Sequence, residues 1–133
     1  MGILVDTTVI IELERASRSH EGLLDRVGDD EVALSAITAS ELLHGVHRAD
    51  SAVRRSRREV FVEAILSALP VLPFDLEVAR VHSRIWADLS RRGVDIGAHD
   101  VIIAATAISS GARVLTINER DFRRVPEVDL ELW

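Results

Sequence analysis

Three carboxylates in this chain of 133 residues stand alone inside stretches that carry no other charged side chain. Asp6 lies in Met1 to Ile11, Glu41 in Val32 to His47, and Asp100 in Ile96 to Ala112. Stretches of that composition are usually buried, and a buried, unpaired carboxylate is strongly unfavourable unless something neutralises it. Two carboxylates about 4 Å apart repel by roughly 4 kcal/mol at an effective dielectric of 20. If the three meet in space, a divalent cation is the natural neutraliser, because repulsion otherwise raises their pKa values until some protonate. The chemistry that follows is metal-assisted hydrolysis, in which a bound cation activates water and no side-chain nucleophile is needed.

The elements that must position these acids can be read from apolar spacing and turn chemistry. Ile3 to Val5 reads as a buried strand that ends on Asp6, with a helix over Thr8 to Arg15 and a second over Ser19 to Val27. A strand at Val32 to Ser35 leads to a helix from Thr38 to Arg48. There Thr38 and Glu41 match the Ser/Thr-x-x-Glu capping pattern, which gives Glu41 a structural role as an alternative to a chemical one. Ser51 to Ala68 reads as a long amphipathic helix ended by Pro70, Val71 to Phe74 as a strand that Pro73 assigns to an edge, and Leu76 to Arg91 as a further helix. Asp100 to Ser109 is an apolar helix capped by Gly111, followed by strands at Val114 to Ile117 and Val128 to Leu132 around a helical turn at Glu119 to Phe122. Helices alternating with short apolar strands indicate a three-layer α/β domain with a mainly parallel sheet. Ligands in such folds bind beyond the carboxyl ends of the strands, where Asp6, Asp100 and Asp121 fall. Asp6 and Asp100 have the alternative of plain helix N-caps, and Asp121 that of a solvated turn residue.

The totals bound the remaining possibilities. A chain of this length, 47% hydrophobic, is expected to form one domain over residues 1–133. It has no cysteine, which excludes disulfides, thiolate metal sites and thiol nucleophiles. No apolar run is long enough to span a membrane and no signal-peptide pattern opens the chain, so a soluble, cytoplasmic protein is expected. The net charge of −6 offers no bulk attraction to nucleic acid, yet all 16 basic residues are arginine and several cluster, notably Arg54, Arg55, Arg57 and Arg58. That run reads most simply as a solvated helix face. Trp86 and Trp133 read as packing residues, and His44 and His99 are noted only because they neighbour Glu41 and Asp100.

Four blocks carry a resemblance. Ile-Leu-Val-Asp6-Thr-Thr-Val-Ile, Ser40-Glu41-Leu42, Ile96-Gly-Ala-His-Asp100-Val-Ile-Ile-Ala-Ala-Thr-Ala107 and Val-Leu-Thr-Ile-Asn118-Glu-Arg-Asp121-Phe122 resemble, in this order, the PIN-domain ribonucleases, in particular the VapC-type toxins of bacterial toxin–antitoxin pairs. The resemblance covers the whole chain. It implies a parallel five-stranded sheet in the order 3-2-1-4-5, and an endoribonuclease that uses Mg2+ or Mn2+. It also implies that Asp6, Glu41 and Asp100 are the first three acidic ligands. The fourth role is carried to Asp121, with Asn118 left as an oxygen ligand or substrate contact. Thr7 is assigned to orient the first carboxylate or a water, and Thr116 is a second auxiliary of that kind. The number of metal ions stays open.

By the same resemblance the partners are an RNA substrate, a second copy in a homodimer, and a VapB-type antitoxin whose tail wraps the toxin and reaches the acidic cleft. Ile10, Leu13, Leu42, Leu43 and Val46 are candidates for the groove that receives it, or else core. A non-catalytic PIN-like module that binds RNA or protein is the alternative, prompted by Asn118.

Overall fold

Alternation of side chains along each short strand decides the architecture. In the computed structural model, which describes residues 2–133, β1 (Ile3–Val5) turns Ile3 and Val5 to one face and Leu4 to the other, and all three are buried. Both faces of the sheet therefore need a covering layer of helices. After β1 come α1 (Thr7–Arg15), α2 (His20–Val27), β2 (Val32–Ser35), α3 (Ala36–His47), α4 (Ala52–Ala68) and β3 (Val71–Leu72). They are followed by α5 (Leu76–Arg91), α6 (Ala98–Ser110), β4 (Arg113–Thr116), α7 (Glu119–Phe122) and β5 (Leu130–Leu132). The five strands form one parallel sheet in the order β3-β2-β1-β4-β5, as the resemblance implied.

One core cluster joins Ile3, Val5 and Leu115 of the sheet to Val9, Ile10 and Leu13 of α1, Leu42 and Val46 of α3, and Val62 and Ile65 of α4. The other joins Leu4 and Val114 to Val78, Ile85 and Leu89 of α5 and to Val101, Ile103 and the alanines of α6. The sheet is thus the middle of three layers. Among the described residues, no helix is long and apolar enough to cross a membrane.

Helix starts differ from the sequence reading in an informative way. Ser35, not Thr38, caps α3: its hydroxyl accepts from the Thr38 backbone N–H at 3.1 Å, and the helix begins at Ala36. Glu41 is therefore not half of a capping box. Ser19, Ser51 and Asp75 cap α2, α4 and α5 through their side chains, whereas Asp6 stands at the N-cap of α1 without making a cap hydrogen bond. Helix α6 starts two residues before Asp100, after Gly97, and closes at Gly111 in the left-handed region (φ 70°) that glycine adopts without strain.

Other expectations are corrected by burial. Ile10, Leu13, Leu42 and Val46 are core residues, which leaves Leu43 alone of the five available to a partner groove. Trp86 is 63% exposed and lies beside His82 on α5, so it packs at the surface rather than in the core. Trp133 does pack against the first cluster. Of the arginine run, Arg54, Arg55 and Arg57 are solvated, while Arg58 is half-buried and ties α4 to Glu14 Oε1 (3.0 Å) and the Gly45 carbonyl (3.1 Å).

The short α7 carries Asp121, and its anchor is the neighbouring Phe122, 1% exposed in the second core. Removing a buried aromatic typically costs about 3–5 kcal/mol. Phe122→Ala should lose about 3 kcal/mol or more in urea unfolding, and a loss below about 1 kcal/mol would show that α7 is held by other contacts.

Candidate active site

Parallel strands end at one edge of the sheet, and the residues that follow them meet there. Val5 pairs with Leu115, so Asp6 after β1 comes level with Thr116 at the end of β4, and the Asp6 N–H bonds the Leu115 carbonyl at 2.9 Å. Asp6 is 1% exposed. Two hydroxyls meet its Oδ2, from Thr8 at 2.6 Å and Thr116 at 2.7 Å, short distances typical of donors to an ionised acceptor. Thr116 Oγ1 in turn accepts from the Asn118 N–H at 2.8 Å, and Thr8 Oγ1 from the Ile117 N–H at 3.4 Å. Both hydroxyls fall on the same oxygen, so Oδ1 is the oxygen left for another partner.

Glu41 approaches from α3. Thr7 Oγ1 donates to its Oε1 at 3.0 Å and lies 3.0 Å from Thr38 Oγ1, which is 3.1 Å from Ser35 Oγ. His99 Nδ1 is 3.6 Å from Glu41 Oε2. Thr7 therefore orients the second acid, while Thr8, which the sequence reading placed only at the start of a helix, orients the first. The signal for Thr8 lay in the consecutive hydroxyls after Asp6.

Asp100 projects from the first turn of α6. Its Oδ2 accepts from Asn118 Nδ2 at 3.1 Å, and the same amide nitrogen lies 3.5 Å from Asp121 Oδ2. Asn118 thus faces both acids with its donor end. Desolvation raises the Asp100 carboxyl from 3.8 to about 6, with further upward contributions from Asp6, Asp121 and Glu41 and a downward one from His99. A helix N-terminus normally favours the charged form, so the upward direction shows that burial and repulsion win. Asp6, Asp121 and Glu41 thus all lie within electrostatic reach of Asp100.

The donor set is chemically suited to a hard cation: carboxylate oxygens with hydroxyl and amide support and no sulfur. Among the described residues, no group of three Asp, Glu, His or Cys side chains is placed to hold a metal ion. Magnesium takes only one or two carboxylates directly and keeps several waters.

Comparison with known proteins places this geometry in context. Residues 3–128 match the PIN domain family. The chain is 37% identical over 130 residues to "Ribonuclease VapC" of Rickettsia bellii, covering 98% of this chain and 95% of the relative. It is 32% identical to the "tRNA(fMet)-specific endonuclease VapC" of Salmonella typhimurium, covering 98% and 96%. A crystal structure of DNA-bound VapBC from Salmonella typhimurium superposes with a TM-score of 0.88 at 30% identity, covering all of this chain and 98% of the other.

The raised Asp100 value has a consequence for stability. A proton on this carboxyl stabilises the fold fully below about pH 4, and that contribution is lost as pH rises through about 6. At neutral pH the ionised group therefore weighs against the cation-free fold. Asp100→Asn, melted in the presence of a chelator, should exceed the parent's melting temperature by a few degrees near neutral pH, with the gap closing toward about pH 4. A variant less stable than the parent at both ends of that range would contradict the sign.

Proposed function

This chain belongs to the PIN-domain family, among VapC ribonucleases, and we propose that it is a divalent-metal-dependent endoribonuclease acting as the toxin of a VapBC-type pair. The observation that carries this reading is the convergence of four carboxylates from four elements at one edge of the sheet, close enough to shift Asp100. Asp6, Glu41, Asp100 and Asp121 are the residues that would hold Mg2+ or Mn2+. When bound, the cation supplies Lewis acidity toward the phosphodiester and the attacking water.

The protein's own contribution is preorganisation. Thr8 and Thr116 fix Asp6, Thr7 fixes Glu41, and Asn118 spans Asp100 and Asp121. Hydrogen bonds that fix the acids in advance are one way a small site lowers a barrier. Asn118, which prompted the non-catalytic alternative, is built into the acidic cluster, and that reading is not favoured.

We assign to the chain a VapB-type antitoxin as partner, on the strength of its structural similarity to VapBC complexes. A homodimer, a cytoplasmic location, and action as one PIN domain over residues 1–133 complete the proposal. A cationic antitoxin side chain entering the acidic cluster would relieve the same repulsion as the cation, so inhibition and metal binding would be mutually exclusive.

Cleavage of a panel of structured RNAs, including the tRNA(fMet) named for the Salmonella relative, should require magnesium or manganese and stop with chelator or with Asp100→Asn. Activity surviving both treatments would sink the metal mechanism. The fourth ligand can be separated from its neighbour by calorimetry with manganese. Asp121→Asn should weaken binding about tenfold and Asn118→Ala by less, because only the former removes a formal charge from the site; the reverse order would move the role to Asn118.

A further inference from the structure

A groove of about 380 Å³ runs from the acidic centre between α1, α3 and α4. At one end are Thr7 and Glu41; at the other are Arg15, the last residue of α1, and Arg48, the C-cap of α3. Along each helix the two ends are separated by roughly two turns, about 11 Å. Ile11, 41% exposed, lies on the floor between them.

The two arginines are unlike the others on this face. Arg58 is consumed by Glu14 and the Gly45 carbonyl and acts as a staple. Among the described residues, Arg15 and Arg48 are exposed and enter no ion pair. Cations at helix C-termini are favourable on their own account, which explains one such residue on each helix. That effect does not explain why both open into one groove whose far end is the acidic centre.

A polyanion faces a particular difficulty here, since the protein carries a net charge of −6 and the site itself is acidic. Strand affinity has to come from local cations at a distance from the cut. We propose that Arg15 and Arg48 bind a backbone phosphate of single-stranded RNA flanking the scissile one, with Ile11 as the apolar floor beneath the intervening nucleotide. The inference rests on the ribonuclease reading and adds to it the path of the substrate. Arginine suits the task because its planar fork makes two hydrogen bonds to one phosphate.

The test compares Arg15→Gln/Arg48→Gln with a charge-matched control, Arg57→Gln/Arg80→Gln, whose arginines are exposed and lie outside the groove. Steady-state cleavage of an RNA that the parent cuts should show KM raised about tenfold with kcat changed less than about twofold, while the control stays near the parent. Binding of a fluorescent single-stranded RNA to the non-cleaving Asp100→Asn form, titrated across potassium chloride, adds a second readout. Its log–log salt slope should shrink by about 0.7 for each phosphate that is no longer neutralised, and Arg15→Lys/Arg48→Lys should restore the slope because lysine keeps the charge.

Unchanged KM and salt slope in the glutamine variant, with the parent active, would overturn the inference and leave the ribonuclease reading intact. Loss of affinity for the antitoxin alone, with RNA binding unaltered, would also overturn it and give the groove to the protein partner. A parent that cleaves no RNA under any divalent cation would fail the ribonuclease reading itself, and the inference with it.

Discussion

The parallel register of the central strand governs the acidic end of the molecule. Leu4 pairs with Ala33 on one side and Val114 on the other, and Val5, the last residue of β1, pairs with Leu115, one residue before the end of β4. Asp6, just past β1, and Thr116, the last residue of β4, therefore meet as carboxylate and hydroxyl at 2.7 Å. A slip by one residue would exchange the two faces of the strand, moving Leu4 into the core that belongs to Ile3 and Val5. The two distinct hydrophobic clusters are thus what hold Asp6 within reach of its donors.

Burying a carboxylate at 1% exposure is tolerable only because two charge-assisted hydrogen bonds reach it. The donors in hydrogen-bond contact with Asp6 and Asp100 are neutral hydroxyls and an amide, while the nearest side chains able to carry positive charge stand farther off, His99 at 3.6 Å from Glu41 and Arg124 at 3.9 Å from Asp121. Countercharge is therefore incomplete, and the remaining repulsion appears at Asp100. A site stabilised by neutral donors and left short of positive charge is one that a cation or a cationic side chain can complete. Tight neutralisation by a built-in arginine would have removed that capacity.

The arginines are used elsewhere, mostly as structural ties. Arg113, half-buried, bonds Asp30 at 2.7 Å and Glu131 at 2.6 Å, linking β4 to the turn before β2 and to β5, and it holds the Glu131 carboxyl below its usual range. Arg26 adds a second bond to Glu131, and Arg84 pairs with Glu127. Such pairs at exposed positions contribute little stability individually. Among the described residues seven of the 16 arginines enter no ion pair, and Arg15 and Arg48 are the two of these that line the α1–α3 groove.

Fold class, element order and three of the four acids were legible in the sequence because burial and periodicity are local properties. A strand buried on both faces is apolar throughout, and a lone acid inside an apolar run marks the wall of a site. Asp121 was not legible on that ground, since Arg120, Arg123 and Arg124 surround it; its place is set by Phe122 entering the core next to it. The exposure of Trp86 and the burial of Ile10 and Leu42 likewise depended on which layer covered each helix. Above all, the sequence determined that hydroxyls follow Asp6, and the reach of Thr8 to Asp6, two positions back, is local. Adjacent residues at a helix start point about 100° apart, so Thr7 faces elsewhere. Only the tertiary structure decided that Thr7 serves Glu41, 34 positions away, and that Thr116, 110 positions from Asp6, joins Thr8 there, because strand register and helix packing choose those partners and no local pattern encodes them.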